Sequence, residues 1–363
     1  MNRKWLLIPL IVFAVLLGGC GFKDIDKRFF AVSIGVDKGE KKRYRVSVEL
    51  AIPSGDPKQP GDSIVFTEEA DSIAAAIGII KANADKELDF GHMNVIIIGK
   101  DLAKENLFTT VDWFSRRRDI QEIAWVSISA SKAKDILEYH PKGEYIPSNN
   151  LLLLFGNEGT ETPYVISEYL FSFWRDLAEP GIDPVLPIIK YIKGENTLEV
   201  QTSGVIRNKH LALVLNKDET MLLNLFIKQK VKSELNVTSK KYNFTIASSK
   251  AKVKYKMNTS GSAPIIDIFV SLKGNLEEKH REHQNVNLHV YEKITNQHYK
   301  KKFEKLLTKL QKEKVDPVGF GMRYEATHLG DEKVKISEWK RLYPQAKFNV
   351  HVTTKIDGTG IIK

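Results

Sequence analysis

Phe29-Phe30-Ala31-Val32-Ser33-Ile34-Gly35-Val36 is an apolar, strand-like run, Asp37-Lys38-Gly39-Glu40 supplies a turn, and Tyr44 to Ile52 then alternates apolar and polar residues. Period-two alternation marks a half-buried strand, so this stretch predicts a β-hairpin at the head of the folded part. Pro53 to Gly61 is rich in Pro, Gly and Asp and reads as a loop. Helix and strand patterns then take turns. Asp71 or Ser72 can cap a helix with Ile73, Ala76, Ile77 and Ile80 on one face. Asn94 to Ile98 is a short buried strand ending at Gly99, and a helix is expected near Asp101. Ile123 to Ser129 is a further strand, and Ser131 can cap the helix that carries Ile136 and Leu137.

Pro163 opens a predicted helix carrying Val165, Tyr169, Phe173 and Trp174. Pro180, Pro184 and Pro187 punctuate the next stretch and place a domain boundary within residues 178–197. Beyond it the chain is strand-rich. Val200–Ile206 and Leu211–Leu215 flank a turn at Asn208-Lys209. Asp218–Ile227 reads as a short helix. Val231–Thr238, Tyr242–Ala247, Lys250–Met257 and Ile265–Leu272 alternate as strands. A long helix, roughly Leu288 to Lys314, carries Phe303, Leu306, Leu307 and Leu310 inward and Lys300, Lys301, Lys305, Lys309 and Lys312 outward. Lys347 to Lys355 is the last clear strand, and Ile361-Ile362 comes after the Gly358–Gly360 turn. The expected class is α+β: a mixed α/β multi-domain chain, antiparallel sheets with packed helices, in two to three domains. The expected segments are a leader at 1–19, an N-terminal α/β domain at 20–190, a strand-rich middle domain at 198–255 and a C-terminal α+β domain at 256–363.

The first twenty residues carry a different signal. Asn2, Arg3 and Lys4 form a positive start, and an apolar run from Trp5 to Leu17 is broken only by Pro9. Leu17-Gly18-Gly19-Cys20 closes it. A charged start, a short apolar core and small residues before a cleavage point make a secretory signal. The run falls short of the ~20 apolar residues that span a bilayer. The closing four residues resemble the lipobox of bacterial lipoproteins, in which the cysteine thiol accepts a diacylglyceryl group. Cys20 is the only cysteine in the chain, so no disulfide is available to the secreted part. Two acyl chains meet the requirement for stable anchoring, at about 0.8 kcal/mol per buried CH₂.

Composition is that of a folded soluble protein: 363 residues, 42% hydrophobic, 28% charged, net charge +10. A basic protein held at a membrane is drawn towards anionic headgroups. Known chemistry is sparse. There is no G-x-S-x-G motif and no P-loop, and Gly358-Thr359-Gly360 lacks the context of a dinucleotide site. His280, His283 and His289 are close in sequence, but the segment is polar and offers no full ligand set, so they read as surface histidines. Arg116-Arg117-Arg118 follows Trp113-Phe114 and reads as a helix end, where cations are favourable, or as a headgroup contact. Asn236-Val237-Thr238 and Asn243-Phe244-Thr245 fit the glycosylation pattern, which has no consequence in a bacterial lipoprotein. No catalytic residues, metal site or cofactor emerge, and no nucleic-acid motif is present. Cys20 is the single residue given definite chemistry.

Several segments, taken in order, resemble the C-subunit lipoproteins of spore germinant receptors, the Ger(x)C family. They are Arg28 to Lys38 behind Asp24-Ile25-Asp26, Phe90-Gly91-His92-Met93-Asn94 to Ala103, Asp183-Pro184-Val185-Leu186-Pro187, Asp316-Pro317-Val318-Gly319-Phe320-Gly321, Trp339, Phe348-Asn349-Val350 and Gly358-Thr359-Gly360. Many members have Trp just after the lipid cysteine, where this chain has Gly21-Phe22. The resemblance implies three mixed α/β domains. It also implies a non-enzymatic subunit beside an A-type and a permease-like B-type subunit, lipid-anchored on the outer face of the cell membrane and in the inner spore membrane. Such receptors respond to amino acids, sugars or nucleosides. No germinant-binding residue carries over. A second reading stays open, a ligand-capturing solute-binding or envelope-sensing lipoprotein.

Overall fold

The computed structural model describes residues 27–52, 62–139, 147–156, 162–228, 232–239, 242–279 and 287–359. Cys20, the leader, His280, His283 and Ile361-Ile362 lie outside them. The order begins β1 (Arg28–Lys38), β2 (Tyr44–Ile52), β3 (Asp62–Ala70), α1 (Ile73–Asn83), β4 (Glu87–Asp89), β5 (Val95–Gly99), α2 (Lys100–Ala103) and α3 (Leu107–Ser115). Then come β6 (Trp125–Ser129), α4 (Ala133–Leu137), α5 (Pro147–Phe155), β7 (Glu168–Tyr169), α6 (Leu170–Ala178), β8 (Val185–Ile192), β9 (Thr197–Arg207) and β10 (His210–Leu215). The chain continues with α7 (Lys217–Ile227), β11 (Ser233–Thr238), β12 (Asn243–Asn258), β13 (Ile265–Lys279), α8 (Leu288–Lys312), α9 (Phe320–Thr327), α10 (Glu332–Leu342) and β14 (Lys347–Ile356).

Two mixed sheets result. The first runs β10-β9-β8-β6-β5-β1-β2-β3, with β4 and β7 pairing onto β1 and β6. Its centre, β1, β5, β6 and β8, is parallel, and its flanks are antiparallel. All five residues of β5 are buried, as a strand covered on both faces requires. Ile96 and Ile98 pack with α1, α3 and α6 through Ile80, Val111 and Phe173. Val95 and Ile97 face the other way, onto Ile136, Leu137, Leu151 and Phe155 of α4 and α5. The expected mixed α/β architecture is what the chain adopts.

Glycine and aspartate fix the parallel centre. Asp37, at the end of β1, is buried and accepts from the amides of Ala133 (2.7 Å) and Lys134 (3.1 Å), the first turn of α4. The cap therefore comes from Asp37, 96 residues upstream, and not from Ser131 as the sequence suggested. Burial pushes the Asp37 carboxyl up, against the pull of those two amides. A Cβ at Gly99 would sit 2.0 Å from the Asp37 Oδ1, and one at Gly35 2.9 Å from the Ala133 Cβ. Only glycine lets these strands approach their neighbours so closely.

The turn after β1 is tied down by Glu69 of β3, which accepts from the Glu40 and Lys41 amides at 3.0 and 2.9 Å. Those amides hold its carboxyl at about 2. The β9–β10 turn has both central residues left-handed, Asn208 (φ 49°) and Lys209 (φ 70°), the geometry that matches hairpin twist.

Among the described residues, helices cover one face of the second sheet, β11-β12-β13-β14. Tyr299, Phe303, Leu306, Leu307 and Leu310 of α8 pack there against Val253, Ile266, Ile268, Val270 and Leu272. β14 returns parallel to β13. The same core continues through α7 to Val185 of β8 and Val205 of β9, so the two sheets share one apolar interior.

Three expectations need correction. Residues 178–197, where the boundary was expected, hold β8, an inner strand between β6 and β9. Pro187 is tolerated because β8 pairs with β6 only at the next two positions, Ile188 and Ile189. Residue 255 falls inside β12, whose register with β13 runs unbroken past it, so the second sheet spans the expected split. Tyr242–Ala247 and Lys250–Met257 are one strand, interrupted by an irregularity between Ser248 and Lys250. The helix after Pro163 starts only at Leu170, because residues 168–169 pair with β6.

Asp37→Ala leaves two buried amides without an acceptor. It is expected to lower stability by about 2 kcal/mol, read as a fall in the urea midpoint. An exposed control, Asp71→Ala, should stay within about 0.5 kcal/mol.

Candidate functional site: the joint between the two sheets

Three of the segments that carry the resemblance, at Asp183, at Asp316 to Gly321 and at Trp339, meet where the two sheets join. Asp183 precedes β8 and Asp316 follows α8. The Asp183 amide donates to the Asp316 carbonyl at 3.0 Å, and the Asp316 amide donates back to Asp183 Oδ2 at 2.7 Å. Asp316 is buried. Its Oδ1 accepts from the amides of Gly319 (3.0 Å) and Phe320 (3.1 Å), and its Oδ2 from the Gly321 amide (2.7 Å) and the Trp339 indole (3.3 Å). One carboxylate thus caps α9 and anchors α10, satisfying amides that a helix start leaves unpaired.

Backbone approach is equally close. The Met322 amide donates to the Gly181 carbonyl at 2.9 Å. A Cβ on Gly181 would lie 2.6 Å from the Met322 nitrogen, and one on Gly321 would lie 2.8 Å from both the Gly181 oxygen and the Trp339 Cδ1. Gly319 holds φ +77° at the start of α9. Arg207, at the end of β9, donates to the carbonyls of Glu313 (3.2 Å) and Lys314. Tyr343 Oη donates to the Val315 carbonyl at 2.9 Å.

A perturbed carboxyl in a cleft is a candidate for chemistry. Full burial pushes Asp316 up to about 7, opposed by the Gly321 and Phe320 amides and reinforced by Asp183. Burial also raises Asp183, with the Asp316 amide, Arg207 and Lys340 pulling it down. Glu168 of β7 stands at about 7, raised by burial and by Asp176. Asp316 has both oxygens committed to donors, and the Glu168 neighbours are Ser172, Asp176, Arg175 and Lys228. The cavity at the joint, lined by Asp183, Arg207, Lys209, Lys314, Trp339 and Tyr343, holds about 200 Å³. Ligand pockets usually hold about 300–1,000 Å³.

The other sequence candidates disperse. His289 is exposed and pairs with Glu292 at 2.8 Å. Among the described residues no three His, Cys, Asp or Glu side chains form a metal-binding group. Arg116 pairs with Asp112 (2.7 Å), while Arg117 pairs with Asp119 and lies over Phe90 (4.9 Å) and Trp113 (5.0 Å). Lys309 turns inward to Glu219 (2.7 Å) and away from the outer face expected for it. Asn236 and Asn243 form cross-strand bonds with Thr245 (2.8 Å) and Thr238 (3.4 Å). Among the described residues no helix is long and apolar enough to cross a membrane. Asp183 and Asp316 were visible as Asp-Pro pairs. Their mutual bonding, 133 residues apart, has no local signal in one sequence.

The arrangement defines a two-part α/β protein in which the buried aspartates at the joint serve to hold backbone. Comparison gives the family. The model described as "Spore germination protein N-terminal domain" matches residues 21–191, and that described as "Spore germination B3/ GerAC like, C-terminal" matches residues 201–360. The chain belongs to this spore germination protein family, the one its sequence resembles. Spore germination protein KC of Bacillus subtilis (strain 168) is 25% identical over 99% of this chain and 97% of its own length. Spore germination protein B3 of the same organism is 23% identical over 97% of each. The crystal structure of the GerBC protein, 20% identical, superposes with a TM-score of 0.60 over 92% of this chain and 100% of that one, which shows the shared fold.

Gly321→Ala is expected to destabilise by about 1–3 kcal/mol through overpacking against Gly181 and Trp339, and to alter Trp339 fluorescence. Gly194→Ala meets nothing within 4 Å and should leave both unchanged. Glu168 gives a pH test. Its folded-state pKa lies above its unfolded value, so the folded chain keeps a proton that the unfolded chain releases. Stability therefore falls as pH rises from about 4.5 to about 7. Glu168→Gln should remove its share of that slope, the rest coming from Asp316, Asp183 and Asp37, and so gain on the native chain at pH 8 and gain nothing at pH 4, by urea midpoints across pH.

Proposed function

We propose that this chain is a lipid-anchored, non-enzymatic subunit of a nutrient germinant receptor, needed for spore germination in response to small nutrients. The observation that carries the reading is the full-length match to spore germination proteins. Cys20 behind Leu17-Gly18-Gly19 supplies the anchor, a diacylglyceryl thioether on the mature amino terminus. Gly21 to Lys27 is then a short leash. At about 3.5 Å per extended residue it reaches roughly 25 Å, which keeps the first sheet near the bilayer. The chain sits on the outer face of the cell membrane and, in the dormant spore, on the inner spore membrane. Its partners are an A-type and a permease-like B-type subunit. The motif residues at Asp37, Asp183 and Asp316 bond backbone amides, which agrees with a scaffold role.

Affinity purification of the tagged chain from spore membranes is expected to recover an A-type and a permease-like subunit. Recovery of the chain alone under conditions that keep membrane complexes intact contradicts the receptor reading. Cys20→Ala should abolish metabolic labelling by fatty acid and move the chain to the soluble fraction without changing the circular dichroism of its folded part. Labelling that survives the substitution contradicts the anchor.

A further inference from the structure

The outer face of the second sheet carries an array of unpaired lysines. Residues of β12 alternate strictly: Ala251 and Val253 point into the core, while Lys250, Lys252, Lys254 and Lys256 point out and are exposed. On β14, Lys347 and Lys355 point out in the same way. Among the described residues none of these six lies within ion-pair distance of a carboxylate. Cross-strand register sets them in rows with β13: Lys254 opposite Phe269 opposite His351, and Lys250 opposite Lys273 opposite Lys355. Phe269 stands in the middle of the array, 41% exposed and stacked on His351 at 5.1 Å. Acidic residues on the same face are fewer than the lysines: Glu234 of β11, Glu277 of β13, Asp357, and Asp267, which lies opposite Lys256. Asp267 bonds Asn349 and lies near His351, and Asp357 pairs with Lys273.

We propose that this face binds an anionic phospholipid surface. The chemistry favours a bilayer over a protein partner. All the unpaired cations are lysines, point charges on flexible stems, with no arginine fork for bidentate recognition of a carboxylate. Lysine is depleted at protein interfaces, where Arg and aromatic residues are enriched. The lysines are spaced about 7 Å along each strand and, with β13 between β12 and β14, about 10 Å across the sheet. An open array of this kind, spread over a sheet face, suits a diffuse negative surface, and an exposed ring at its centre suits the headgroup region. The inference rests on the anchored reading only in placing a membrane within reach.

The test uses residues 27–363, which hold every described element and lack the lipid cysteine, so its outcome is independent of Cys20. Binding is measured by co-sedimentation with vesicles of phosphatidylglycerol mixed with phosphatidylcholine, and of phosphatidylcholine alone. Binding to the anionic vesicles, weakened by salt and absent on phosphatidylcholine, is expected. Each lysine at an anionic surface is worth roughly fivefold in partitioning. Replacing Lys250, Lys252, Lys254 and Lys256 together by Gln should therefore reduce it by about a hundredfold or more. Phe269→Ser should weaken it further. Lys300, Lys301, Lys305 and Lys312 of α8, changed to Gln as a control that removes the same four charges, should have little effect. Unchanged binding in the β12 variant, an equal loss in the α8 control, or no binding to anionic vesicles at low salt each overturns the proposal. The last result leaves an acidic protein surface as the occupant. The substitutions are on solvent-exposed positions, and an unchanged urea midpoint confirms that each variant is folded.

Discussion

The buried carboxylate of Asp316 is the constraint on which the arrangement of the two halves depends. A carboxylate removed from water is costly unless its lone pairs are filled. Here three amides and one indole fill them, all contributed by α9 and α10. The backbone of the same residue is bonded twice to Asp183 at the foot of the first sheet. One residue therefore fixes the start of α9, the packing of Trp339 and the junction with β8. The apolar core running from β8 and β9 through α7 into the second sheet closes around that point.

Asp37 plays the corresponding part inside the first sheet. It sits at the end of a central parallel strand and caps a helix that follows another strand of the same sheet. In both places glycine lets backbone come near enough for aspartate to reach: Gly99 and Gly35 beside Asp37 and α4, Gly181 and Gly321 beside Asp316. The segments that identify the family are thus largely joints. The one residue to which a definite chemistry is proposed is Cys20.

Local patterning carried much of the fold. The β1–β2 hairpin, the α1 face of Ile73, Ala76, Ile77 and Ile80, the Asn208-Lys209 turn and the long α8 all follow from periodicity and turn chemistry. What was illegible is non-local. β8 was hidden by three prolines, because only its neighbours β6 and β9 show that its Leu186, Ile188 and Ile189 are interior. β3 passed unnoticed as an edge strand with mostly half-buried residues. The irregularity near Ser248 made one strand look like two. The joint itself was present as two Asp-Pro pairs and a tryptophan, but nothing in a single sequence states that they touch. The lysines of β12 were legible as alternation, while their freedom from ion pairs required the sheet.

Hydrogen exchange at the joint tests most directly whether Asp316 holds the two halves as one body. The amides of Gly319, Phe320 and Gly321 should exchange as slowly as those of Ile268 and Val270 in the core of β13, through the same global opening. Exchange of the three joint amides well ahead of both sheets would show that the halves separate there while each stays folded, and would contradict the account.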